Sequence, residues 1–312
     1  MEVLSSGQTV AVVIVNWNGQ KLLDSCLEAV ARQTVSAGRV IVVDNGSTDG
    51  SVAHLRKAWP SVEVIELGRN LGVAAGNNAG IGHALAAGAD QVLLLNNDAS
   101  MKPDVVQQLK SALETGGPEV WAVTPKIVYR SDPGTIWSAG GEMIWWKGLS
   151  KDRGTDQVDR GQFDQASLVA YANTCCLLVR AQAFARAGLM DEAYFMYFDD
   201  SDFCGRLLRA GGKIAYAPRA VVLHDVQASS KGAGQPVNHF MVYYTTRNRV
   251  RFIRRNVSGV PMRALAHLFT ITSRFVRMAQ AWGGGDRRTA SVIGRALYDG
   301  YIRRRTGATY YP

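Results

Sequence analysis

Short apolar runs alternate with segments of helical periodicity through the first third of the chain. Four runs are built mainly from Val, Ile and Leu: residues 10–15, 40–43, 62–67 and 92–95. Continuous runs of this kind are typical of strands that are buried on both faces. Their alternation with helical segments predicts an α/β fold with a mostly parallel central sheet flanked by helices.

The pattern changes after residue 121. Residues 137–148 are rich in Trp and Gly and predict irregular β structure or a binding loop. The run Asp199-Asp200-Ser201-Asp202 precedes a predicted helix over residues 203–210. Three further strands are predicted over residues 175–179, 214–216 and 221–223, and from residue 238 the sequence is helical and basic.

Polar clusters follow four of the predicted strands. They are Asn16 with Asn18, Asp44 with Asn45, Asn96-Asn97-Asp98, and His224. The carboxyl ends of parallel strands lie at one edge of a sheet, where open α/β sheets bind their ligands. A single cluster of this kind is equally typical of a polar turn, but four that converge favour a binding site.

These residue types suit particular roles. Asp98 is a hard oxygen ligand for Mg²⁺ or Mn²⁺, and His224 could complete the coordination, although a lone His after a strand is more often structural. Asp44 could accept the imide N–H of uracil or thymine, or it could form an Asx turn. Asp199 and Asp200 cannot both be buried cheaply as anions, which suits a general base. Their alternative role is helix capping, for which Asp202 is the better candidate.

The excess of positive over negative charge comes entirely from the end of the chain. The net charge is +9, but residues 1–246 carry 21 Lys and Arg against 24 acids, whereas residues 247–312 carry 14 Arg against two acids. The asymmetry indicates an anionic partner for this segment, either nucleic acid or lipid headgroups. Four cysteines, with Cys175 and Cys176 adjacent, form no disulfide framework, which favours a reducing cytoplasmic compartment.

The basic segment contains a predicted amphipathic helix. Its apolar arc consists of Met262, Leu265, Leu268, Phe269, Thr272, Phe275, Val276 and Ala279, and Arg263, His267, Arg274 and Arg277 lie opposite. The helix could pack on the catalytic domain with its basic face in water. Alternatively, residues 247–312 could attach the protein peripherally to the inner face of the cell membrane. Residues 243–249 could line an acceptor or phosphate path.

Six strings, in this order, resemble the family 2 glycosyltransferases with the GT-A fold, and within them the rhamnosyltransferase-like and galactofuranosyltransferase-like branch. They are VVIVNWNG, IVVDNGSTDGS, GRNLGVAAGNNAGI, VLLLNNDA, YFMYFDDSDFCGRLLRAGGKI and VLHDVQASS. The resemblance implies a GT-A catalytic domain over residues 1–236, with a nucleotide-sugar half to about residue 120 and an acceptor half after it. Residues 237–312 would form a helical basic extension.

The resemblance also implies roles for individual residues. Asp200, paired with Asp199, would be the catalytic base, and Asp98 with His224 would hold Mg²⁺ or Mn²⁺. The donor site would comprise Asn16, Asn18, Asp44, Asn45, Asn70, Asn78, Asn96 and Asn97. Here Asn96 replaces the first acid of the family's DxD-type motif, which leaves Asp98 as its one carboxylate.

The implied reaction is an inverting, metal-dependent transfer of a rhamnose or galactofuranose type of sugar. The donor would be linked to dTDP or UDP, and the acceptor would be a glycan or lipid-linked hydroxyl in cell-surface polysaccharide synthesis. Two alternatives stay open from the residues alone: a sugar-nucleotidyltransferase, and a non-catalytic protein that binds nucleotide or nucleic acid. Neither a P-loop nor a dinucleotide fingerprint is present, since Gly80-Ile81-Gly82 lacks the further glycine.

Overall fold

The computed structural model describes residues 9–226 and 237–307. Its first half alternates strands and helices as predicted. The elements are β1 (Val10–Asn16), α1 (Gln20–Ala31), β2 (Arg39–Asp44), α2 (Ser51–Ala58), β3 (Glu63–Glu66), α3 (Val73–Ala86) and β4 (Gln91–Asn96). The strands pair in parallel in the order β3-β2-β1-β4. Their carboxyl ends therefore meet at one edge, as the sequence predicted.

The second half extends the same sheet with mixed pairing. Its elements are β5 (Ala99–Met101), α4 (Val105–Thr115), β6 (Val120–Tyr129), β7 (Thr135–Ser138), β8 (Gly141–Ile144), β9 (Leu149–Asp152), β10 (Gln157–Val158), β11 (Ser167–Val169), β12 (Cys176–Arg180), α5 (Ala181–Ala187), α6 (Asp199–Arg209) and β13 (Lys213–His224). β12 runs antiparallel to both β4 and β6, and so joins the two halves of the sheet.

β13 is one long strand where the sequence predicted two short ones. It pairs in parallel with β6, and its register shifts between Ala217 and Val221. This irregularity explains the gap in the apolar pattern between the two predicted segments. The far end of β13 then pairs antiparallel with β5, which sets His224 opposite Ala99.

Three helices follow the sheet: α7 (His239–Asn256), α8 (Val260–Gly283) and α9 (Arg287–Tyr298). None of the helices in the described part of the chain has the length and apolarity to cross a membrane. The expected domain boundary after residue 236 adjoins residues 227–236, which lie outside the described residues, as does the end of the VLHDVQASS string. That boundary stays a prediction.

The parallel strands have a closely packed interface with α3. The glycines of this helix allow the close approach, because a Cβ at Gly80 would overlap Val13 and one at Gly76 would overlap Val15. The glycines that suggested an incomplete dinucleotide fingerprint therefore include a packing residue at Gly80. Gly82 lies on the same helix and faces open space.

We predict that Gly80→Ala destabilises the protein by about 1–3 kcal/mol, because the added methyl group must displace β1. Gly82→Ala is the matched control and is expected to be neutral or stabilising by up to about 1 kcal/mol, since alanine favours helix. Urea unfolding monitored by circular dichroism measures both. Equal stability of the two variants would contradict this account of α3 packing.

Candidate active site

Asn16 and Asp44 lie side by side at the carboxyl ends of β1 and β2. These residues are partners in the β1–β2 register, and Asn16 Nδ2 lies 3.4 Å from Asp44 Oδ1. The other carboxylate oxygen, Asp44 Oδ2, accepts the backbone N–H groups of Gly46 and Ser47 at 3.2 and 2.9 Å. Asp44 therefore forms the Asx turn considered as its alternative role, and this turn fixes the carboxylate at the sheet edge.

Three further amides tie the neighbouring loops together. Asn18 Oδ1 accepts the Thr48 backbone N–H at 2.8 Å. Asn45 Nδ2 donates to Asn70 Oδ1 at 3.2 Å and to the Gly72 carbonyl at 3.0 Å. The structure therefore brings Asn18, Asn45 and Asn70 to the same edge as Asp44, where these hydrogen bonds shape the loops.

Asn78 has a different position, inside the packing of α3. Its Nδ2 donates to the Met190 carbonyl and to Glu192 Oε1, both at 2.9 Å, and its Oδ1 accepts the Met190 N–H. These contacts anchor the segment that leads to Asp199. Asn78 thus holds the segment that precedes the acidic run. No hydrogen bond among the described residues joins it to the Asn16–Asp44 pair.

The end of β4 connects these loops to the predicted metal ligands. Asn97 Nδ2 donates to Asn16 Oδ1 at 2.8 Å, and the Asn96 N–H donates to the Cys175 carbonyl at 2.9 Å. Asp98 Oδ1 lies 3.1 Å from His224 Nε2. The pairing of β5 with β13 explains this proximity, because Asp98 immediately precedes β5 and the Asp225 N–H donates to its carbonyl.

Asp98 and His224 fit a divalent cation. His224 is buried, and no described residue satisfies Asp98 Oδ1 or His224 Nδ1 with a hydrogen bond. An unsatisfied carboxylate oxygen beside an imidazole nitrogen is a suitable pair of ligands for Mg²⁺ or Mn²⁺. No cluster of three or more His, Cys, Asp or Glu side chains able to hold a metal occurs among the described residues. The remaining ligands would then be phosphate oxygens, water, or amide and carbonyl oxygens of the protein.

The acidic run lies at the amino-terminal end of α6. Tyr171 Oη donates to Asp200 Oδ2 at 2.6 Å, and the Ser201 N–H donates to Asp200 Oδ1 at 2.6 Å. Burial raises the pKa of Asp200, and the hydrogen bonds from Tyr171 and Ser201 oppose that rise. Burial, reinforced by the negative charge of Asp200, raises the pKa of Asp199 to about 8. Asp200 is half-buried as a residue, whereas Asp199 is buried.

A third carboxylate, Asp152, belongs to the same acidic cluster. Its Oδ1 accepts Ser138 Oγ at 2.5 Å and Asn173 Nδ2 at 3.1 Å. Burial, reinforced by the negative charge of Asp200, raises the pKa of Asp152 to about 6. Three carboxylates therefore share a region in which each ionisation makes the next more costly.

Adjacent residues of β7 link the acidic cluster to the metal-ligand pair. Trp137 contacts the His224 ring edge-on, with ring centroids 4.4 Å apart, while Ser138 donates to Asp152. The buried Cys175 lies between the same groups: burial raises the pKa of its thiol, and the charges of Asp98 and Asp152 add to the effect. The predicted clusters thus converge on one edge of the sheet.

The backbone before Asp199 is strained. Phe195, Tyr197 and Phe198 have φ values of 67°, 64° and 69°, which are rare for bulky residues. The buried Asn248 of α7 holds this segment, because its Nδ2 donates to the carbonyls of Tyr194, Met196 and Tyr197 at 3.0, 2.8 and 2.8 Å.

Residues 243–249 therefore do not form the open path that the sequence suggested. Arg247, Asn248 and Arg249 are buried, and they donate to backbone carbonyls. Their side chains brace the fold behind the acidic cluster. The strained backbone that they hold is a costly local conformation of the kind found where a site requires fixed geometry.

The expected capping role of Asp202 is wrong. α6 begins at Asp199, with Phe198 as its capping residue. Asp202 is fully buried in the first turn and forms an ion pair with Arg206, at 2.7 Å from Nε, and a hydrogen bond with Asn256 Nδ2 at 2.7 Å. Its role is to fasten α6 to α7.

Sequence reasoning missed four residues of the acidic cluster: Ser138, Asp152, Tyr171 and Asn173. Asp152 ends β9 and Tyr171 follows β11, two short strands without a clear apolar pattern. The sequence pattern that came nearest to predicting them is the Trp- and Gly-rich stretch over residues 137–148. It includes Ser138, and we interpreted it as irregular β structure or a binding loop.

Comparisons with known proteins agree with this architecture. Residues 11–184 match the family profile of Glycosyl transferase family 2. The chain is 28% identical over 259 residues to an N-acetylglucosaminyl-diphospho-decaprenol L-rhamnosyltransferase of Mycobacterium tuberculosis, which covers 75% of this chain and 80% of that relative. It is 26% identical over 250 residues to the dTDP-rhamnosyl transferase RfbF of Shigella flexneri, which covers 78% and 79%.

A solved structure confirms the expected fold. The crystal structure of GalNAc-T7 with UDP, GalNAc and Mn²⁺ superposes with a TM-score of 0.60 at 17% identity, covering 79% of this chain and 48% of that one. The enzymatic interpretation thus prevails over that of a non-catalytic binding protein. The chain belongs to glycosyltransferase family 2 and is a glycosyltransferase with the GT-A fold.

Proposed function

We propose that the protein transfers a sugar, with inversion at the anomeric carbon, from a nucleoside-diphosphate donor to a hydroxyl of a glycan or lipid-linked acceptor. The observation that carries the proposal is the position of Asp200. Asp200 is half-buried, receives hydrogen bonds from the uncharged donors Tyr171 and Ser201, and belongs to the acidic cluster that β7 joins to the Asp98–His224 pair.

Different residues serve the two ends of the donor. Asn16 and Asp44 bind the nucleoside, and Asp44 Oδ1 accepts the imide N–H of thymine or uracil. We propose dTDP-linked rhamnose as the first candidate donor, because both relatives described above are rhamnosyltransferases by name. UDP-linked galactofuranose is the second candidate. The relative from Mycobacterium tuberculosis bears a diphospho-decaprenol acceptor in its name, which supports a lipid-linked acceptor here.

The reaction needs one proton acceptor on the acceptor side. Asp200 takes the proton of the attacking hydroxyl while the hydroxyl oxygen forms a bond to the anomeric carbon, and the bond from that carbon to the diphosphate breaks with its electron pair leaving on phosphate oxygen. A raised pKa keeps such a base reactive at neutral pH. Mg²⁺ or Mn²⁺ held by Asp98 and His224 would supply Lewis-acid neutralisation of the leaving diphosphate.

We predict that Asp200→Asn lowers the rate of transfer by at least about 10²-fold, because it removes the base, and leaves nucleotide affinity within about threefold. The measurement is release of nucleoside diphosphate in a screen of nucleotide sugars with Mn²⁺, followed by transfer to an acceptor. Glu114→Gln, a matched change at an exposed acid on α4, serves as the control. Wild-type turnover in Asp200→Asn would place the base elsewhere.

Asp98→Ala tests the metal ligands through binding alone. We expect at least about tenfold weaker binding of dTDP or UDP in the presence of Mn²⁺, since this carboxylate would hold the cation that neutralises the diphosphate. Isothermal titration with and without Mn²⁺ measures the effect, with Glu114→Ala as the control for loss of one charge. If the variant binds the nucleotide as tightly as wild type both with and without Mn²⁺, Asp98 is not a ligand of the cation.

Asp199→Asn tests the electrostatic cost of the acidic cluster. The pKa of Asp199 is about 8 in the folded chain against an ordinary value of 3.8, so the folded state retains a proton that the unfolded chain loses. The contribution of Asp199 to the free energy of unfolding therefore falls as pH rises from about 4 to about 8. We predict that Asp199→Asn is more stable than wild type by about 1–3 kcal/mol at pH 8, and that the difference shrinks towards pH 4. Urea midpoints across this range measure it, and a constant difference would contradict the shift.

A further inference from the structure

Helix α8 directs apolar side chains away from the protein. Those that are exposed are Met262, Leu265, Leu268, Phe275, Val276 and Trp282, which we call the outer apolar face. Leu268 is 59% exposed and Phe275 is 52% exposed, although both are large and apolar. The buried positions of the helix are the small residues Ala266 and Thr270.

Two basic residues of α8, His267 and Arg274, lie on the side that faces the protein. Burial lowers the pKa of Arg274 to about 10, and burial also lowers the pKa of His267. His267 Nδ1 lies 2.9 Å from Tyr301 Oη. The expectation of a solvated basic face on a packed helix is therefore wrong for these two residues. A helix on the surface of a water-soluble domain normally has the reverse orientation.

We propose that the outer apolar face inserts into the headgroup region of an anionic lipid bilayer. A helix that lies in the interface buries its apolar side chains among the upper acyl chains and leaves basic residues near the phosphates. The members of the outer apolar face are spread from Met262 to Trp282 along a 24-residue helix. It ends at Trp282, a residue type that favours this boundary.

Charge decides between a bilayer and a second copy of the chain. α8 contains no acidic residue, and exposed arginines lie on it and just beyond it: Arg263, Arg277, Arg287 and Arg288. Anionic headgroups complement such a surface. A second copy of the chain would offer no acidic residue on its own α8 to pair with these arginines, so it lacks the charge complementarity that anionic headgroups provide.

A groove beside the stripe has the character of a lipid-chain site. It lies between α8 and α9 and has a volume of about 680 Å³. Its apolar lining comes from Phe275, Met278, Ala279, Trp282 and Ala290. Phe275 and Trp282 belong to both the groove and the outer apolar face, so an acyl or prenyl chain in the bilayer could enter the groove without crossing water.

A chain of contacts joins α8 to the acidic cluster. Phe269 of α8 contacts Trp146, with ring centroids 5.2 Å apart. The chain then runs from Trp146 to Ser150, whose Oγ lies 2.7 Å from Ser201 Oγ, next to Asp200. A lipid-linked acceptor would therefore approach Asp200 from the membrane. This last step depends on the proposed function, whereas lipid binding by α8 does not.

Vesicle flotation of the full chain tests the proposal. We expect wild-type protein to float with vesicles of phosphatidylcholine and phosphatidylglycerol, and to float less with phosphatidylcholine alone. The triple variant Leu265→Gln, Leu268→Gln, Phe275→Gln should lose at least about tenfold in partitioning, since each large apolar side chain contributes more than about 1 kcal/mol when buried. Quenching of Trp fluorescence by brominated lipid should fall in Trp282→Phe.

The matched control carries the same number of exposed apolar changes elsewhere: Val158→Gln, Leu168→Gln and Leu189→Gln. It should float like wild type. Three results would each overturn the proposal. They are unchanged flotation of the α8 variant, equal binding to neutral and anionic vesicles, and a wild-type dimer in the absence of lipid that becomes monomeric in the α8 variant. Donor hydrolysis in detergent-free buffer should be equal in wild type and the α8 variant. Absence of that activity in wild type would count against the proposed function and not against membrane binding.

Discussion

The antiparallel strand β12 is the connection on which the site depends. It is hydrogen-bonded to β4 on one side and to β6 on the other, so it joins the parallel half of the sheet to the mixed half. Cys175, immediately before it, accepts the Asn96 N–H and lies within the electrostatic reach of both Asp98 and Asp152. β12 thereby aligns the end of β4, which leads to Asp98, with the half of the sheet that carries His224 and Ser138.

The second constraint comes from outside the sheet, through α7. Three residues before Asp199 have left-handed backbone conformations, which the local sequence does not favour. The amide of Asn248 compensates by satisfying three carbonyls of that segment. α7 therefore supports the acidic cluster, since it fixes the direction in which the chain enters α6. The arginines of α7 contribute through the same segment, because Arg247 donates to the carbonyl of Tyr194.

The sequence was sufficient for features that depend on local pattern. The strands β1, β2 and β4 agree with the apolar runs to within a residue or two, and their polar ends meet as expected. Asp152 and Tyr171 were not predictable in this way, because short strands have weak periodicity and their partners are distant in the chain. The face of α8 that packs against the protein was not predictable either. A helical wheel identifies an apolar and a basic face but does not show which of them faces the protein. Gly80 shows a third limit, since packing against Val13 is visible only in three dimensions.

Electrostatics separates the aspartates of one helical turn. Asp202 is buried against Arg206 and Asn256, and Asp191 nearby is paired with Arg251 at 2.7 Å. A cationic partner stabilises the ionised form of a carboxylate and weakens it as a base. Asp200 instead receives hydrogen bonds from a phenol, a hydroxyl and a backbone amide, none of them charged. The chain carries abundant arginine close by and pairs it with the structural carboxylates, whereas burial raises the pKa of Asp200.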